Sequence, residues 1–223
     1  MIRAVTDMPW IRLMYAYPGA VTPRLIDLMA DAPQILPYLD IPLQHGHRDT
    51  LLRMRRPANV DWVYRTVETM RARIPQLAIR TTFIVGYPGE TEEEFGALMQ
   101  MVEDLQFDRV GVFTYSYEVG TPSATLPGHV PDEIKAERRD RLMALQQGIS
   151  LARNQALVGQ TLDVLVEGHG EAEDEDGNLL DERISLGRSY RDAPEIDGYV
   201  FVEGELPVGE IVPVRVNGAM VYD

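Results

Sequence analysis

IRTTFIVGYPGETEEEF, residues 79–95, is the stretch that decides the fold. Its first half is a nearly unbroken run of branched and aromatic residues, the pattern of a parallel strand covered on both faces. GYPG then breaks the run, because Gly86 and Gly89 permit tight backbone geometry and Pro88 fixes one dihedral. Thr91 followed three residues on by Glu94 is a capping box, so a helix opens over EEEFGALMQMVEDL. Glu92, Glu93 and Glu94 favour the positive end of that helix and are assigned to stability rather than to acid catalysis.

The same grammar recurs on both sides. WIRLMYAYP (10–18), YLDIPLQ (38–44) and RVGVFTYSY (109–117) are further apolar runs bounded by Pro or Gly. Between them, TPRLIDLMADAP places Leu25, Leu28 and Met29 on one helical face, and NVDWVYRTVETMRARI does so with Val60, Val63, Val67 and Met70. The order β-α-β-α-β-α-β implies right-handed crossovers and a parallel sheet or partial barrel. PDEIKAERRDRLMALQQGISLARNQALV is a long closing helix with Ile134, Leu142, Leu145, Ile149 and Ala152 as its expected buried stripe. Beyond Gly159, TLDVLVEG, ERISLGRSY, EIDGYVFVEG, GEIVPVRVNG and AMVYD predict five short strands and a small closed barrel. EGHGEAEDEDGNLLDE, between the first two, reads as a mobile acidic loop. The expected architecture is an α/β partial barrel over 1–157 followed by a five-stranded antiparallel β-barrel over 158–223.

Composition narrows the function. Apolar residues at 45% and charged residues at 25% exclude a wholly disordered or fibrous chain. The sequence has no membrane-length apolar run and no signal-peptide pattern at its start, so it reads as cytoplasmic. The 223 residues include no cysteine, which removes disulfides, thiolate nucleophiles, Cys-ligated zinc and Cys-ligated iron–sulfur clusters from this chain. Net charge is −14, unevenly spread: residues 1–157 hold 17 basic and 19 acidic side chains, net −2, and residues 158–223 hold 4 and 16, net −12. Such a tail repels phosphate backbones and favours basic partners unless its arginines gather on one face.

WIRLMYAYP, YLDIPLQHG, LLRMRRP, RTTFIVGYPGETEEEF and FTYSYEVGTPSA stand in the order and spacing of the methylthiotransferase family of radical S-adenosylmethionine (SAM) enzymes, which this chain resembles over nearly its whole length. The tail from GQTLDVLVEG resembles the TRAM domain that ends those proteins. RDAPEIDG, with Asp192, Glu195 and Asp197 as expected substrate-binding positions, resembles the branch that methylthiolates an aspartyl β-carbon of the twelfth small-subunit ribosomal protein; the tRNA-modifying branch is the alternative. The resemblance implies SAM and two 4Fe-4S clusters as cofactors and a basic ribosomal protein as partner. The family's first cluster domain and CxxxCxxC loop are absent from this sequence, so the four strands resemble the third to sixth of a six-stranded barrel. No residue of this chain is then expected to ligate a cluster, and the chain alone is expected to be inactive. A reading from another class is an acidic, non-catalytic binding module for a basic protein.

Sites of parallel β/α folds lie at the C-terminal ends of the strands. Gln44 and His45 end the second strand, where they suit hydrogen bonding to a ribose or substrate, or cap the next helix. His47 makes a His-x-His pair, but His129 and His169 fall in unrelated loops, too far apart in sequence pattern for a metal site. Arg80 heads an apolar strand and needs a carboxylate or a ligand; Asp40, on the adjacent strand, is the expected partner. By resemblance, SAM is held by Gln44, Arg80, Thr82 and the backbone of Val85 and Gly86, with adenine against Phe113 and Tyr115. Arg53, Arg55 and Arg56 form a basic cluster expected to meet the SAM carboxylate or, with His45, an acidic substrate group, or else a solvated helix end.

Overall fold

The computed structural model describes residues 8–173 and 179–222. The chain divides into two units, Met1–Ile149 and Ser150–Asp223. The first holds β1 (Ile11–Leu13), α1 (Pro23–Asp31), β2 (Ile35–Asp40), α2 (Arg48–Arg53), α3 (Val60–Arg73), β3 (Ala78–Val85), α4 (Glu92–Leu105), β4 (Arg109–Thr114) and most of α5 (Asp132–Gln155). All neighbouring strands are parallel, in the order β1-β2-β3-β4. Among the described residues no helix is long and apolar enough to cross a membrane.

Caps explain where the helices begin. Thr22 Oγ1 accepts from Leu25 N at 3.3 Å with Pro23 in the first turn of α1, and Asn59 Oδ1 accepts from Trp62 N at 3.0 Å at α3. Both halves of the Thr91–Glu94 capping box form. α2 is an element that the sequence reading omitted; the His47 ring caps it by accepting from Asp49 N at 3.2 Å. Val63, Val67 and Met70 of α3 and Phe95, Leu98, Met101 and Val102 of α4 bury against Ile79, Phe83 and Val85 of β3 in one core. On α1 the buried residues are Ile26 and Met29, with Leu25 and Leu28 packed beside them.

Two expectations are corrected here. Helices cover only one face of β3: from Arg80 on, burial alternates, and Arg80, Thr82 and Ile84 stay half-buried on the other face. The face of α5 is also shifted. Ile134 and Ala152 are exposed, whereas Lys135, Arg138, Leu142, Gln146 and Ile149 are buried, because each polar member finds a partner or a ring on the sheet side.

The second unit is an antiparallel sheet of β5 (Thr161–Glu173), β6 (Leu179–Arg188), β7 (Val200–Glu203) and β8 (Ile211–Arg215), in the order β7-β6-β5-β8. β5 pairs with β8 over Thr161–Leu165 and with β6 from Leu165 on, its register slipping between Val166 and Gly168, so it curls to serve two neighbours. The sheet has four strands among the described residues, not the five expected. Residues 219–222 of AMVYD pair with no strand; instead Asn154 Nδ2 donates to Met220 O at 2.9 Å. Most of the expected acidic loop is strand, since Glu167–Glu173 extend β5 and Leu179–Glu182 open β6; its residues 174–178 lie outside the described residues.

Candidate functional site

The uncovered face of the parallel sheet is polar. Register pairs Asp40 with Arg80, Thr82 with Gly111 and Ile84 with Phe113. Arg80 Nη1 lies 3.3 Å from Asp40 Oδ1, so the carboxylate expected from the adjacent strand is the one that Arg80 meets. Asp40 is fully buried, and its other oxygen accepts from Tyr15 N at 3.4 Å. Arg12 stacks on the Tyr38 ring, 4.3 Å from its centroid. A Cβ on Gly111 would lie 3.6 Å from both Phe113 Cε2 and Thr82 Oγ1 and 3.8 Å from Arg80 Nη2. Gly111 thus opens a small cradle floored by Arg80 and Thr82 and flanked by the ring of Phe113, a residue 60% exposed.

Beyond the strand ends the chain closes on a buried carboxylate that the sequence reading missed. Glu90 Oε1 accepts from Arg138 Nη1 at 2.8 Å, and Oε2 accepts from Gly86 N at 2.9 Å and lies 3.3 Å from His45 Nε2. His45 Nδ1 accepts from His47 N at 3.0 Å. Glu90 therefore ties the ends of β2 and β3 to α5. No local pattern marks it, because GYPGE reads as a turn and Arg138 is 48 residues away. Lys135, also unanticipated, lays its stem on Gly86 and its ammonium 5.4 Å from the Tyr115 ring centroid.

These contacts decide what the expected site residues can do. Gln44 is half-buried with a left-handed backbone, and its N–H and carbonyl pair with Thr82 O and Ile84 N at 2.9 Å. His45 is fully buried in the Glu90 cluster rather than open to a substrate. Val85 has its side chain in the core and its carbonyl engaged by Tyr115 N, and the Gly86 N–H is held by Glu90, so these backbone groups do not face an open cavity. Tyr115 is buried edge-on to Tyr87, whereas Phe113 is free at the sheet surface. Arg53 clamps Glu94 with two bonds, of 3.0 and 2.5 Å, and leaves the basic cluster to Arg55 and Arg56, which are exposed. Burial pushes the Glu94 carboxyl up, but the Arg53 guanidinium and the Thr91 N–H outweigh it and hold the group below its ordinary range. His47, Asp49 and Glu94 gather within 4.8 Å, yet Glu94 is engaged by Arg53 and His47 Nδ1 by Asp49 N, so these donors form a cap and ion pair. In the second unit Asp192 accepts from Ser189 N and Oγ and Asp197 accepts from Ala193 N, and of the three acidic residues expected to meet substrate Glu195 alone is exposed, between the exposed Pro194 and Ile196.

The Gly86 position yields a test of the turn. A Cβ there would stand 2.3 Å from Lys135 Cγ, on a backbone with φ of 71°. Gly86→Ala is expected to cost about 2–4 kcal/mol, from left-handed strain and overpacking together, measured as a lower urea midpoint at unchanged slope.

Residues 1–102 match the family model of the Radical SAM superfamily, and residues 158–223 match that of the TRAM domain. The chain is 55% identical over 214 residues to the ribosomal protein uS12 methylthiotransferase RimO of Chloroflexus aurantiacus and 52% identical to that of Herpetosiphon aurantiacus. Each alignment takes in 96% of this chain but only 46% and 44% of those proteins, so the chain spans less than half the length of these relatives. Among solved structures, the radical SAM enzyme coproporphyrinogen III oxidase (HemN) from Escherichia coli shares the fold with a TM-score of 0.53 at 13% identity, over 88% of this chain and 51% of that one.

Proposed function

We propose, for a chain that belongs to the radical SAM superfamily over residues 1–102 and to the TRAM domain family over residues 158–223, that it acts as the C-terminal part of a ribosomal protein uS12 methylthiotransferase. The observation that carries this reading is the 55% identity to RimO over an alignment that takes in 96% of this chain. In it, β1 to β4 are the last four strands of a six-stranded barrel within a domain 1–157, and 158–223 is the substrate-docking domain.

SAM fits the uncovered sheet face. The Gly111 cradle would take the adenosyl group, with Arg80 and Thr82 beneath it, Phe113 beside its ring and Gln44 at the rim. Bound at a cluster, SAM supplies the radical chemistry and the methyl group; this chain's share is to bind, orient and exclude water. The clusters do not fit this chain, which has no cysteine to hold them.

Charge placement supports a basic protein as the partner. The tail's four arginines are not gathered: Arg183 pairs with Glu205, Arg188 pairs with Glu167, Arg191 is buried and Arg215 is exposed. A polyanion laid on this surface would meet acidic groups with few free cations to offset them. Titration of the chain with purified uS12 and with bulk tRNA, each at two salt concentrations, tests this. Binding to uS12 that weakens with salt is expected. Tight tRNA binding would move the reading to the tRNA-modifying branch. The absence of cysteine favours one further reading, a binding module without catalysis, which the same titration supports if uS12 binds and no SAM does.

A further inference from the structure

Three strand ends of the parallel sheet turn through the left-handed region: Tyr15 (φ 55°) after β1, Gln44 (φ 72°) after β2 and Gly86 (φ 71°) after β3. Glycine takes this conformation freely, whereas a bulky residue there is an outlier that surrounding structure must hold in place. Gln44 is held by backbone pairing to β3. Among the described residues Asp40 holds Tyr15: the Tyr15 N–H reaches Asp40 Oδ2 at 3.4 Å, and the next N–H, of Ala16, donates to Asp40 O at 2.8 Å. Packing does not offset the strain, since the Tyr15 side chain lies outside the core in a residue 69% exposed. The other non-glycine cases sit elsewhere, Gln106 closing α4, Arg55 following α2 and Glu195 in a turn of the second unit.

A strained backbone carrying an exposed aromatic ring at the C-terminal edge of a parallel sheet is placed where such folds keep their ligands. Tyr17 adds a second exposed ring two residues on, resting on Gly19, whose Cβ would be 3.3 Å from it. The strand order sets β1 two strands from β3 and three from β4, about 10–15 Å across the sheet, so these rings stand to one side of the cofactor position proposed above rather than over it. We infer that Tyr15, seconded by Tyr17, is a specificity-determining residue that receives a cationic side chain of the substrate segment on its ring face. The inference rests on the reading of the substrate as a basic protein. Arg12 over Tyr38 is the same kind of contact already made within the sheet.

The test uses the full 223-residue chain and a fluorescein-labelled synthetic peptide covering the uS12 segment around its target aspartate, read by anisotropy beside thermal melts. Tyr15→Gly is expected to melt at or above the wild-type temperature, because strain is relieved and no core contact is lost. Its affinity for the peptide is expected to fall about three- to fivefold, while Tyr15→Phe, which keeps the ring, binds as wild type. A melting temperature lowered by several degrees would make the ring structural and overturn the inference. Unchanged affinity in Tyr15→Gly, with wild type binding, would overturn it while leaving the basic-substrate reading intact. If the wild-type chain binds neither the peptide nor uS12, that reading fails and takes the inference with it.

Discussion

Arg138→Met is expected to destabilise the chain by about 3–5 kcal/mol, because it leaves the Glu90 carboxylate buried without its cation. The Glu90 side chain is wholly buried, with Arg138 Nη1 at 2.8 Å and the Gly86 N–H at 2.9 Å. His45 stands against the same carboxylate, its Nδ1 accepting from His47 N at 3.0 Å and its Nε2 3.3 Å from Glu90 Oε2. Arg138 also donates to Glu90 O at 3.2 Å and lies over the Phe95 ring. Arg138→Lys keeps the charge but loses the fork, and is expected to cost about 1–2 kcal/mol. The double variant Arg138→Met with Glu90→Gln removes both charges and should recover much of the loss. Urea unfolding of the three variants measures this. A loss below about 1 kcal/mol for Arg138→Met would mean that water or a proton reaches Glu90, and that the cluster is not sealed.

That carboxylate shows where reading the sequence stopped. Strand, turn and helix at 79–95 were legible because each is encoded within a few residues, by apolar continuity, by Gly and Pro, and by a cap. Asp40 and Arg80 could be paired from sequence because consecutive strands proved to be neighbours and the register needed only their places along each strand. Glu90 and Arg138 could not, since nothing local distinguishes a glutamate that ends a turn in solvent from one sealed beneath a helix. The α5 stripe failed for the same reason. Hydropathy selected Ile134 and Ala152, whereas the face that meets the sheet buries Lys135, Arg138 and Gln146, whose partners Tyr115, Glu90 and Phe107 come from other elements. In the tail, AMVYD has a strand's composition, but composition does not supply a neighbour with which to pair.

Anaerobic incubation of the 223-residue chain with iron, sulfide, a reductant and SAM is expected to yield no deoxyadenosine above a protein-free control. Reductive cleavage of SAM needs a cluster held with one open iron, and thiolates hold such clusters because sulfur shares charge with iron and tolerates its reduction. The sequence offers no thiolate. Histidine is the remaining side chain that commonly ligates iron, and the structure engages all four: His45 is buried against Glu90, His47 caps α2, His129 Nε2 lies 3.2 Å from Ala124 O, and His169 Nε2 lies 2.8 Å from Leu206 O. Within the first unit His45 and His47 adjoin one another but are committed to Glu90 and to the cap of α2, and His129 lies in a separate loop. Even a stoichiometric burst of deoxyadenosine would refute this expectation and place cluster binding on oxygen and nitrogen ligands of this chain. The complementary trial adds, in trans, the part of a RimO relative that lies outside its alignment with this chain. Deoxyadenosine formed only in the mixture, and lost when Arg80→Met replaces the wild-type chain, would locate the cofactor-holding half of the site on the Arg80–Thr82–Gly111 face. Formation that ignores Arg80→Met would leave Arg80 as Asp40's structural partner alone.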